Sequence, residues 1–162
     1  MTAAPRLVRR RPAPPPLYLL DVEADGDQPT RVRGILWDGT LNASPDDTTD
    51  GPSPVEALLA GVAGCFVRNL RWIAAGSHVA LSRLRLRLAA ERDDDPPAIR
   101  QVRLEVELEA NASRERVAGI VERALRSGTI TRTVARAAEL EVAVRLNGEP
   151  LTIRIPDWGP RG

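Results

Sequence analysis

The chain has 162 residues, 43% of them hydrophobic and 28% charged, with a formal net charge of +1. That length and apolar content suffice for one hydrophobic core without disulfides or metals, and the mixed-sign charge lacks the global basic field of a nucleic-acid binder. All 23 basic residues in the Lys+Arg count are arginine, which excludes Schiff-base, P-loop and general-base lysines; one cysteine, Cys65, and one histidine, His78, leave neither an internal disulfide nor a Cys/His zinc site.

Residues 1–16 hold four arginines and five prolines but no apolar run long enough for a signal peptide or a membrane span. A disordered arm on a cytoplasmic protein is expected, followed by one folded domain over residues 17–158. Residues 17–23, 31–37 and 40–43 read as three strands, with Asp38-Gly39 as a hairpin-type turn. Residues 42–54 are a Pro-, Asp-, Thr- and Ser-rich loop. It ends at Ser53-Pro54-Val55-Glu56, a capping box with Ser53 as N-cap and Glu56 reaching back.

The helix expected from there runs to about Ala75 and stops at Gly76 as a left-handed cap. Val55, Leu58, Leu59, Val62, Phe66, Leu70 and Ile73 recur at helical spacing, while Ala60, Gly61, Ala63 and Gly64 leave a side open to close backbone approach. Two strands follow. Leu84, Leu86 and Leu88 alternate with Arg83, Arg85 and Arg87; Val102, Leu104, Val106 and Leu108 alternate with Arg103, Glu105, Glu107 and Glu109. With Asp93-Asp94-Asp95-Pro96-Pro97 as the turn, they form an antiparallel hairpin whose solvated face sets arginines against glutamates.

Ser113 caps a second amphipathic helix carrying Val117, Ile120, Val121, Ala124 and Leu125, with Gly128 near its end and a further helical turn over 129–137. Leu140, Val142, Val144 and Leu146 alternate as a strand, Asn147-Gly148 turns, and residues 151–155 complete a closing hairpin. Strands, long helix, two strands, helix and strands make an α+β fold with helices on one side of antiparallel sheet.

This order and the run Gly51-Pro52-Ser53-Pro54-Val55-Glu56-Ala57-Leu58-Leu59-Ala60-Gly61-Val62-Ala63-Gly64-Cys65 resemble the bacterial OsmC/Ohr family of osmotically inducible and organic-hydroperoxide-resistance proteins, which carry a Pro-x-Glu-Leu-Leu-Leu-Ala-Ala-Leu-Ala-Gly-Cys helix. The resemblance spans about residues 17–155. Gly128-Thr129-Ile130-Thr131-Arg132-Thr133-Val134 is similar to the family's Cys-Pro-Val-x-(Arg or Asn)-Thr-Leu segment, with Gly128 where the second cysteine belongs. The resemblance implies an intertwined homodimer with the cysteine helices near the interface and peroxide-reducing sites built from both chains. In the family one thiolate attacks the peroxide and the second cysteine captures the resulting sulfenic acid. Within this chain that capture is unavailable.

The peroxidase branch of the family places a glutamate ten residues before the first cysteine. Here that position is Val55, and Glu56 lies nine residues before Cys65, on the opposite helix face at about 100° per residue, so its cap role accounts for it. The family's early-strand arginine falls near Arg31 and Arg33, which share one strand face. Arg68, three residues after Cys65, can sit beside the sulfur and favour its nucleophilic thiolate form.

Two functions follow from these expectations. The first is a one-cysteine thiol peroxidase of the oxidative stress response, in which Cys65 reduces organic or hydrogen peroxides, supported by Arg68 and Arg33 and regenerated by an external thiol. The second is a non-catalytic homodimer that binds a small hydrophobic ligand in an interfacial pocket. Neither requires a cofactor, a metal, nucleic acid or a membrane.

Overall fold

A computed structural model describes residues 20–23, 30–34, 38–41 and 51–159. The expected arm over residues 1–16 and most of the loop over 42–54 lie outside them. The chain divides into two compact units, Met1–Gly51 and Pro52–Gly162.

In the first unit β1 (Leu20–Glu23), β2 (Thr30–Gly34) and β3 (Asp38–Leu41) form an antiparallel meander in that order. The expected meander is present, but Asp38 and Gly39 are strand residues, paired with Arg33 and Val32, where a turn was expected, and residues 35–37 of the expected second strand lie outside the described residues. Val32 is the buried position of β2, and Arg31 and Arg33 on its other face are exposed.

The second unit opens with α1 (Pro54–Gly76), whose capping box is complete. Ser53 Oγ accepts from the Glu56 N–H at 3.3 Å, and Glu56 Oε2 accepts from the Ser53 N–H at 2.7 Å. The Ser53 backbone N–H first, and the Ser53 hydroxyl second, hold the Glu56 carboxyl below its ordinary 4.5. Stability from this carboxylate is therefore complete above pH 4.5 and is lost as pH falls through the depressed folded value. Ser53→Ala is expected to destabilise the protein by ~1 kcal/mol and to keep most of that acid limb, since the Ser53 N–H remains, as measured by urea unfolding between acid and neutral pH. The helix end differs from expectation. Ser77 is the cap and His78, at φ 53°, supplies the left-handed residue instead of Gly76, because the Ser77 N–H still reaches Ile73 O and the Val79 N–H returns to Ala74 O at 2.9 Å.

β4 (Leu81–Asp94) and β5 (Pro97–Ala110) form the long hairpin, with Arg83, Arg85 and Arg87 in register with Glu109, Glu107 and Glu105. These pairs are exposed and contribute little individually. Arg103 bonds Glu141 at 3.1 Å, which raises the Arg103 pKa. From β5 the chain crosses through α2 (Arg114–Ser127) and α3 (Thr129–Ala137) to β6 (Glu139–Leu146), which runs parallel to β5. The sheet is thus mixed, ordered β4-β5-β6-β7, where an all-antiparallel one was expected. A helical crossover returns the chain to the same sheet edge and so allows parallel pairing.

β7 is only Glu149–Pro150, and residues 151–155 do not extend the closing hairpin. One ladder bond follows Pro150, from the Leu151 N–H to Val144 O of β6 at 2.8 Å, and beyond it the Arg154 N–H donates to Glu122 of α2 at 2.7 Å instead of to β6. The core lies between the helices and the sheet. Phe66 and Leu70 of α1, Leu104 and Val106 of β5, and Ile120 and Leu125 of α2 are buried within it.

Candidate functional site

Cys65 is half-buried on α1. At about 100° per residue, Leu58 and Trp72, seven positions away on either side, fall within roughly 20° of it on the helix. The buried stripe of Val62, Phe66, Leu70 and Ile73 lies to one side. The sulfur therefore sits at the margin between core and surface. Its own face is apolar but uncovered, with Leu58 39% and Trp72 75% exposed. Gly61 and Gly64 beside it are exposed, and a Cβ added at either would meet no atom within 4 Å. This strip follows from small residues placed where the helix turns away from its own core.

The polar neighbour of the sulfur is Asn69, one turn along α1. Its Nδ2 donates to Cys65 O at 2.8 Å and lies 3.7 Å from Cys65 Sγ. Fastened by the carbonyl bond, the amide offers an N–H to negative charge that develops on sulfur. Arg68, the expected activator, is exposed, and no hydrogen bond or ion pair joins it to Cys65 among the described residues. Asn69 stands at i,i+4 from Cys65, a spacing legible in the sequence, but it has no charge to mark it as a partner of the sulfur. Glu56 is bonded to Ser53, in keeping with a cap role. Arg33 and Arg31 lie on β2 in the unit that does not contain Cys65.

Gly128 joins α2 to α3 and is buried, at φ −74° and ψ 111°. A Cβ built there would lie 2.7 Å from Thr131 Oγ1 and 3.0 Å from Thr131 Cβ. The space that a second cysteine would need is thus held by Thr131, whose hydroxyl is fully buried and has no hydrogen-bond partner among the described residues. Among the described residues no group of three or more His, Cys, Asp or Glu side chains could hold a metal ion.

The family described as OsmC-like protein matches residues 45–143 of this chain. No curated protein gives a significant sequence match. Among solved structures, an OsmC-like protein from Mycoplasma pneumoniae superimposes with a TM-score of 0.74 at 20% identity, covering 81% of this chain and 97% of that one. The organic hydroperoxide resistance protein OhrB of Bacillus subtilis gives 0.57 at 12% identity, covering 80% and 98%. An organic hydroperoxide resistance protein from Legionella pneumophila, also described as a predicted redox protein, gives 0.56 at 16% identity, covering 79% and 96%. At these identities the likeness is one of fold.

Proposed function

The chain belongs to the OsmC-like family, and from that premise we infer that it is a one-cysteine thiol peroxidase of a stress response, acting through Cys65 on organic or hydrogen peroxides. The observation that carries this reading is the half-buried Cys65 with an anchored amide 3.7 Å from its sulfur, between the exposed apolar side chains of Leu58 and Trp72 on the helix. An apolar approach suits an alkyl hydroperoxide, and the amide suits the charge on a thiolate. Solved structures of similar fold from Bacillus subtilis and Legionella pneumophila are described as organic hydroperoxide resistance proteins.

In the reaction, Cys65 thiolate attacks the distal peroxide oxygen, the O–O bond breaks, and the alcohol leaves with a proton. Cys65 becomes a sulfenic acid. An external thiol condenses with it, releasing water and leaving a mixed disulfide; a second thiol then frees Cys65 and departs as the oxidised disulfide. The cycle needs two external thiols because Gly128 supplies none, and a cytoplasmic setting, which we assign on that ground, provides them.

Arg68 and Arg33 enter this reading as secondary candidates for holding the thiolate, behind Asn69. Hydroperoxide consumption with dithiothreitol as the thiol tests it. The wild type is expected to turn over, Cys65→Ser to fall to the buffer rate, and Asn69→Leu to retain on the order of a tenth of the activity. Equal rates in wild type and Cys65→Ser would refute it.

The uncovered face of α1 supports a homodimer. α1 is long and apolar enough by length and composition to cross a bilayer, yet it packs a buried stripe into the core and leaves Val55, Leu58 and Trp72 outside. Leu84, Leu86 and Leu88 of β4 are likewise only partly covered. A second copy laid along this face would bury the exposed apolar groups and enclose Cys65. Light scattering is expected to give twice the 17.6 kDa protomer mass, and a Leu58→Arg, Trp72→Arg double variant to give the protomer mass.

A further inference from the structure

From Arg123 to Ala138 the chain carries four arginines and no carboxylate, although its overall net charge is only +1. Arg123 is engaged within the fold, donating to Gly119 O and to Ser77 Oγ. Arg126, Arg132 and Arg136 are exposed and have no hydrogen bond or ion pair among the described residues. All three line one depression of about 300 Å³ at the α2–α3 junction, together with Ser127, Gly128, Thr129 and Thr133.

The contrast with the sheet face is instructive. There a comparable depression is lined by Arg83 and Arg145 but also by Glu107 and Glu109, so its charge is balanced. A general excess of arginine in the composition would produce both kinds of surface alike. At the α2–α3 junction three arginines line the depression and no acid is among its lining residues. α3 also has no side-chain cap, since Gly128 has no side chain to provide one, so N–H groups of its first turn remain available beside the arginines.

We propose that this depression is a binding site for a small, multiply charged oxyanion of the phosphate type, either free phosphate or a phosphomonoester. Guanidinium forks match the paired oxygens of a tetrahedral oxyanion, and three of them exceed what a single carboxylate can neutralise. Arg132 and Arg136 are one turn apart on α3 and Arg126 ends α2, so an anion held by all three would also tie the two helices together. The site does not use Cys65 and stands or falls separately from the peroxidase reading.

Amide chemical shifts of the full-length protein, titrated at constant ionic strength with inorganic phosphate, glycerol 3-phosphate and acetate, test the proposal. Saturable shifts at Thr129, Ile130 and Thr131 are expected with both phosphates, and at least ~10-fold weaker binding with acetate. Tighter binding of glycerol 3-phosphate than of phosphate would identify an ester as the ligand, and the reverse order free phosphate. Arg132→Gln and Arg136→Gln are each expected to weaken binding at least ~10-fold, whereas Arg85→Gln on the sheet leaves it unchanged. Loss of shifts elsewhere with no saturable change at these amides, acetate binding equal to phosphate, or an equal effect of Arg132→Gln and Arg85→Gln would overturn the site.

Discussion

Phe66→Ala is expected to lower the unfolding free energy by ~3–5 kcal/mol, a large share of what a domain of this size possesses. Phe66 is the one phenylalanine in the chain, is completely buried, and occupies the middle of the α1 stripe against the sheet and α2. Its neighbours Val62 and Leu70 lie on the same rigid helix and cannot collapse into the vacated volume. Urea denaturation reads the loss as a lower midpoint with an unchanged slope. A loss below ~1 kcal/mol would mean that α1 does not pack into the core as described.

Gly128→Cys is expected to destabilise the protein by ~1–3 kcal/mol. The added Cβ must displace a fully buried threonine whose own Cβ is only 3.0 Å from it. Thr131→Ala in the same chain removes the 2.7 Å contact with Oγ1 but keeps the 3.0 Å one with Cβ, and is expected to recover part of that loss. Thr131→Val alone keeps the shape and removes an unpaired hydroxyl, so it should stabilise by ~1 kcal/mol. If Gly128→Cys were as stable as wild type, the assignment of Thr131 as the group that closes this position would be wrong.

Much of this architecture is legible in the residues. Ser53, Pro54 and Glu56 mark the start of α1 because each capping bond requires its own residue type. The Leu84–Leu88 and Val102–Leu108 alternations mark the hairpin because one face is core and the other is wet. The parallel β5–β6 pairing is not legible, since periodicity reports which face is buried and not which neighbour a strand takes. The bond that the Arg154 N–H makes past the hairpin goes to Glu122, 32 residues away in the chain, and no local pattern encodes it.

The site divides in the same way. Cys65 and the vacancy at Gly128 are visible in a single line of sequence. Asn69 is visible in spacing but not in charge. Thr131 could not be read at all, because a threonine at helical spacing looks the same whether its hydroxyl is solvated or buried without a partner.

The direct measurement is the intact mass of the reduced protein after brief exposure to one equivalent of cumene hydroperoxide in the presence of dimedone. One dimedone adduct per chain, mapped to Cys65 and absent in Cys65→Ser, is the predicted result, because a peroxide-derived sulfenic acid with no internal partner must persist long enough to be trapped. An unmodified Cys65 after peroxide has been consumed would contradict the account.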